Sequence, residues 1–193
     1  MRCHALAVLI LLAGCDRGSP EAAGTPDQPA WGGPQAGKAE ARGRLDRTHA
    51  GTPAPTAPFE DPEGEPTSLA EFTGKPVLLN LWATWCGPCV AEMPTLDALA
   101  AREKGGLQVL TVSQDLDGRK KVEAFFTKQG YRHLETWLDP KMELMTALKV
   151  DTLPTTILYD SAGREVWRVT GIDDWQSEGA AALIAESSPS AAR

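Results

Sequence analysis

Hydrophobic positions cluster in the second half of this chain, and their spacing changes from segment to segment. Val77-Leu78-Leu79-Asn80-Leu81-Trp82-Ala83 is apolar at nearly every position, the pattern of a central strand buried on both faces. From Val90 to Ala101 the spacing turns helical through Met93, Leu96 and Leu99, and Gly105-Gly106 ends that helix. Leu107 to Ser113 reads as a second strand. Lys120 to Gln129 reads as an amphipathic helix with Val122, Phe125 and Phe126 on one side. A short strand is expected at Leu134–Leu138 and a short helix at Lys141–Leu148. Strands at Thr155–Tyr159 and Glu165–Thr170 flank the turn Asp160-Ser161-Ala162-Gly163, and a last helix should run from Asp173 to about Ala185. Strand–helix alternation followed by a hairpin and a helix predicts an α/β fold with a mixed sheet between helices.

The first 57 residues lack these periods. Met1-Arg2, the apolar run Ala5–Leu12 and the small residues Ala13-Gly14 ahead of Cys15 have the layout of a secretory signal, and the run is too short to span a bilayer. From Asp16 to about Ala57 neither period appears, and Pro and Gly are frequent, which predicts a tether. Trp31 and His49 within it read as incidental. The expected organisation is a signal peptide over 1–14, Cys15 with a tether to 57, one globular domain over 58–187, and a flexible tail over 188–193.

Charge narrows the partners. The stretch from 58 onward carries 13 basic and 21 acidic residues without a basic cluster, which disfavours nucleic acid. Cysteine usage narrows the chemistry. Cys3 and Cys15 lie in the leader region, whereas Cys86 and Cys89 stand together where a buried strand gives way to a helix. No second pair completes a four-thiolate zinc site, so no metal or cofactor is expected and the pair reads as redox-active. Cys86 falls at a helix N-terminus, where unpaired N–H groups and the macrodipole favour a thiolate. It is the expected nucleophile. Cys89, one turn on and more covered, is the expected resolving thiol.

The segment Asn80–Pro94, NLWATWCGPCVAEMP, resembles the active-site region of thioredoxin-fold proteins, in particular the membrane-tethered, extracytoplasmic TlpA/ResA-like family. Thr152-Leu153-Pro154-Thr155 resembles the family's cis-proline loop, and the likeness extends over about 58–185. The resemblance implies a thioredoxin-like domain with an N-terminal extension and a central insertion, working as a thiol–disulfide oxidoreductase. It implies a cis bond before Pro154, with Leu153 exposing its backbone to an extended substrate. It places Trp85, Gly87 and Pro88 on the docking surface and Trp82 in the core. It also implies a role for Glu92 in proton handling near the buried thiol. Asn80 stands where cytoplasmic thioredoxins carry a buried aspartate and cannot serve as a base, so Glu92 is the candidate carboxylate.

Leu12-Ala13-Gly14-Cys15 resembles a lipobox, which implies cleavage before Cys15, lipidation of its sulfur and an anchor in the membrane, with Asp16 favouring the periplasmic side of the inner membrane. The expected partners are a disulfide-containing client protein and a membrane electron donor, with the domain itself a monomer. Family members mostly reduce, for example preparing apocytochrome c or copper-site thiols, and the Gly-Pro dipeptide fits that direction. A peroxiredoxin-like peroxidase would need Thr or Ser at position 83, where this chain has Ala. A thioredoxin-fold copper chaperone would usually have wider cysteine spacing and a histidine ligand, a role nothing marks in His133. Asp115, Asp117, Asp173 and Asp174 read as helix-capping or solvated carboxylates.

Overall fold

The computed structural model describes residues 43–187. In chain order they form β1 (Arg44–Asp46), β2 (Phe59–Glu60), β3 (Pro66–Thr67), a 3-10 turn (Leu69–Phe72), β4 (Val77–Trp82), α1 (Gly87–Arg102), β5 (Gln108–Ser113), α2 (Arg119–Gln129), β6 (Trp137–Leu138), α3 (Glu143–Ala147), β7 (Thr155–Tyr159), β8 (Glu165–Thr170) and α4 (Glu178–Ala185). Among the described residues the eight strands make one mixed sheet in the order β1-β8-β7-β4-β5-β6-β2-β3. β4, β5 and β6 run parallel, and the remaining pairings are antiparallel. This is a thioredoxin-like α/β fold.

Both faces of β4 are covered, which is why its residues are apolar almost without a break. Leu78 and Trp82 pack under α1, α2 and α4, against Leu96, Phe126 and Ile184 among others. Val77, Leu79 and Leu81 face the other way, into a second core with Phe59, Leu69, Leu144 and Ile157. Trp82 is fully buried, donates from Nε1 to the Thr111 carbonyl at 3.2 Å and lies against Phe125 and Phe126. Asn80 interrupts the apolar run and is as buried as its neighbours.

Several boundaries differ from the pattern reading. α1 begins at Gly87, three residues before the expected Val90, because Pro88 suits a first helical turn whose N–H groups have no intrahelical acceptor. The strand expected from Leu134 is confined to Trp137–Leu138. Asp97 Oδ1 gathers the N–H groups of Arg132, His133 and Leu134 at 3.1, 2.8 and 3.1 Å and folds that stretch into a loop. α4 starts at Glu178, where Ser177 Oγ accepts from Ala180 N at 3.1 Å. Asp173 and Asp174 therefore lie in turns ahead of the helix and do not cap it.

The largest correction concerns the tether. Residues 43–57 belong to the folded unit: β1 pairs with β8, Gly43 N donates to Ile172 O at 2.8 Å, and Ala54 N donates to Gly163 O at 2.9 Å. These contacts are made by backbone groups, so they leave no hydrophobic period in the sequence. Cys3, Cys15, Trp31 and the tail 188–193 lie outside the described residues. No helix among the described residues is long and apolar enough to cross a membrane.

Candidate redox site

β4 ends at Trp82, and the chain turns once before α1. Cys86 N donates to Ala83 O at 3.1 Å, closing a turn with Thr84 and Trp85 at its corner and setting Cys86 at the N-cap of α1. Cys86 Sγ accepts from Cys89 N at 3.3 Å, so a backbone N–H points at the sulfur where negative charge would develop. Cys86 and Cys89 are joined in a disulfide with their Cα atoms 5.3 Å apart. The two sulfurs are not equivalent in access: Cys86 is 6% exposed and Cys89 is sealed at 0%.

Trp85, Cys86, Gly87, Pro88 and Leu153 share one cleft of about 520 Å³, with Gln114, Met142 and Met145 in its walls. Trp85 is 64% exposed. The Leu153–Pro154 peptide bond is cis, and Pro154 is buried behind half-buried Leu153. Gln114 is fully buried; its Nε2 donates to Val112 O at 3.3 Å, while its Oε1 accepts no hydrogen bond among the described residues.

Glu92 does not line this cleft. It lies on α1 one turn beyond Cys89 and is fully buried. Its Oε1 accepts from Asn80 Nδ2 at 2.7 Å, and its Oε2 accepts from Asp173 N at 3.1 Å and from Trp175 Nε1 at 3.3 Å. Burial pushes its carboxyl up to about 7 although these three donors oppose the shift; the nearby Asp173 carboxylate adds to the rise. Asn80 also donates to Thr156 Oγ1 at 2.9 Å.

Asp115 corrects the reading of a capping or solvated group. It is fully buried directly after β5 and accepts from Thr84 N at 2.7 Å, Thr84 Oγ1 at 2.5 Å and Ser113 Oγ at 2.8 Å, with Lys121 Nζ 3.2 Å away. Burial alone would raise its carboxyl, but the bonds from Thr84 and Ser113, with help from Lys121, outweigh it and hold the group below the ordinary aspartate value. Its signal in the sequence was an aspartate just past a strand that could run beside the one leading to Cys86. Asp117 pairs with Lys121 at 2.6 Å, and His133 is exposed.

The Redoxin family profile matches residues 49–184. The chain is 34% identical over 122 residues to the thiol-disulfide oxidoreductase ResA of Geobacillus thermodenitrificans (strain NG80-2), covering 63% of this chain and 69% of that one. To ResA of Bacillus subtilis (strain 168) it is 33% identical over 123 residues, covering 63% and 67%. Among solved structures it resembles a putative thiol:disulfide interchange protein DsbE from Chlorobium tepidum (TM-score 0.63, 27% identity, 72% of this chain and 96% of that one). It also resembles the pneumococcal exposed lipoprotein thioredoxin Etrx1 from Streptococcus pneumoniae strain TIGR4 (TM-score 0.57, 25% identity, 65% and 96%). A thioredoxin-like sheet, a CGPC pair bridged at a helix N-terminus and these relatives agree, and the chain belongs to the Redoxin family as one of its TlpA/ResA-like thiol-disulfide oxidoreductases.

Proposed function

We propose that this protein reduces disulfides in client proteins outside the cytoplasm while anchored to a membrane through Cys15. The observation that carries the redox cycle is the unequal access of the two sulfurs at one helix end, with the reachable one facing a backbone N–H. In the reduced domain the Cys86 thiolate attacks one sulfur of a client disulfide. A mixed disulfide forms, and the client's other sulfur leaves as a thiolate. Cys89 then attacks Cys86 Sγ, expels the second client sulfur and closes the Cys86–Cys89 disulfide, so two electrons have passed to the client. A membrane donor protein must return two electrons to reopen the pair.

Glu92 takes up the Cys89 proton when that thiol becomes the attacking group. A carboxyl near 7 is ionised often enough to accept a proton and protonated often enough to return it. Trp85, Gly87, Pro88 and Leu153 form the surface on which the client lies, with cis-Pro154 buried behind Leu153. The anchor reading rests on the lipobox-like Leu12–Cys15 sequence and is supported by a relative described as an exposed lipoprotein.

Cys89→Ser tests the cycle. The variant should accumulate mixed disulfides on Cys86 that reductant releases, and Cys86→Ser should not. Trapping by Cys86→Ser alone would reverse the roles of the two sulfurs, and equal trapping by both variants would overturn the division of roles. The captured clients and the reduction potential then decide direction: a potential in the range of strongly oxidising disulfide donors would overturn the reductase reading.

A further inference from the structure

Among the described residues the most exposed large hydrophobic side chains are Leu116 at 67% and Trp85 at 64%, well ahead of Leu45 at 37%. The first two leave the sheet at corresponding points. β4 and β5 run parallel with Trp82 opposite Ser113, and Gln114 N donates to Trp82 O at 2.8 Å just past that pair. Two residues further on, Thr84 and Asp115 are joined by both the N–H and the hydroxyl of Thr84. Trp85 and Leu116 are the next residues, each in the turn that follows its strand. The Asp115 carboxylate, itself held by Ser113 Oγ, thus fixes the turn that carries Trp85 to the loop that carries Leu116.

A buried carboxylate costs free energy unless its hydrogen bonds are satisfied, and this one is spent on a junction that leaves two apolar side chains in water. Cys86 lies one residue beyond Trp85, so a polypeptide whose disulfide reaches Cys86 can lie across this junction. We infer that Trp85 and Leu116 form a paired apolar docking ridge for the client polypeptide beside Cys86, with Asp115 as the positioning residue that holds the two together. The occupant is a segment bearing an apolar side chain close to its cysteine. The carboxylate of exposed Asp151, in the lining of the cleft at Cys86, favours a basic flanking residue in that segment.

This inference rests on the exchange reading above, and its test separates the two. The intact chain, recycled with dithiothreitol, is assayed on insulin as a polypeptide disulfide, and the pre-reduced chain freed of dithiothreitol is assayed in single turnover on dithiobis(nitrobenzoate) as a small one. Leu116→Ser should raise the KM for insulin about five- to tenfold, with kcat for insulin and the rate on the small disulfide within twofold of the starting protein. Leu45→Ser, which removes an exposed leucine elsewhere, should change neither. Asp115→Asn should raise the insulin KM as well and shift Trp85 fluorescence, whereas Thr84→Ser, which keeps the hydroxyl, should change neither. An insulin KM unchanged in Leu116→Ser, or equal losses on both substrates, overturns the docking ridge even if Asp115→Asn fails to fold. Failure of the starting protein to reduce insulin would instead sink the exchange reading itself.

Discussion

Two carboxylates are buried on either side of the redox turn, and burial acts on them with opposite outcomes. Asp115 meets Thr84 and Ser113 at 2.5 to 2.8 Å, has a lysine 3.2 Å away, and is held more acidic than usual. Glu92 meets three donors at 2.7 to 3.3 Å, none of them charged, and is pushed up to about 7. The number of hydrogen bonds is the same, so their count does not decide the result. Shorter bonds and a neighbouring cation stabilise the anion at Asp115, while desolvation dominates at Glu92. One group is suited to holding structure and the other to exchanging a proton.

Removing the first group should have the largest effect. Asp115→Ala strands the Thr84 N–H and two hydroxyls that now donate to an anion, and we expect a loss of about 4 kcal/mol in urea unfolding at pH 7. A loss below about 1 kcal/mol would show that water replaces the carboxylate, and the contrast between the two sites would weaken.

Glu92 should reveal itself through pH. The folded protein keeps a proton on Glu92 that the unfolded chain releases from its ordinary value of 4.5 upward, so the folded state loses stability as pH rises from 4.5 to about 7 and levels off above. The shift corresponds to about 3 kcal/mol. Glu92→Gln abolishes that slope, and the stability of the variant relative to the starting protein should rise by that amount between pH 4.5 and 8. The same substitution should slow disulfide exchange and flatten its pH dependence near neutrality. Parallel stability curves would remove Glu92 as the titrating group. Asp115 has the opposite sign: its contribution is present above the ordinary aspartate value and is lost only as pH falls through its lower folded value.

Lys121 should matter least. Its ammonium is partly solvated and shared between Asp115 and Asp117, so Lys121→Met should cost less than about 1 kcal/mol in the same urea assay. A larger cost would mean that the cation, more than the short bonds, sets the acidity of Asp115.

These two sites also mark what the sequence makes legible. The buried strand, the helix behind it and the Cys86–Cys89 pair are local, and their periodicity and spacing are visible along a dozen residues. Glu92 is visible by its distance from Cys89, but its partners Asp173 and Trp175 stand 81 and 83 residues away and come into reach only through the fold. Asp115 is separated from Thr84 by 31 residues, and its place just past a strand is the one local sign that sets it apart from a solvated carboxylate. β1 was hidden for another reason, since a strand recognised by its backbone can have almost any side chains.

That short strand has a consequence for self-association. β8 is six residues long, and three of them are paired with β1; at the far side the sheet finishes on the two-residue β3. Among the described residues neither border offers a long row of free amide and carbonyl groups on which another copy could add a strand.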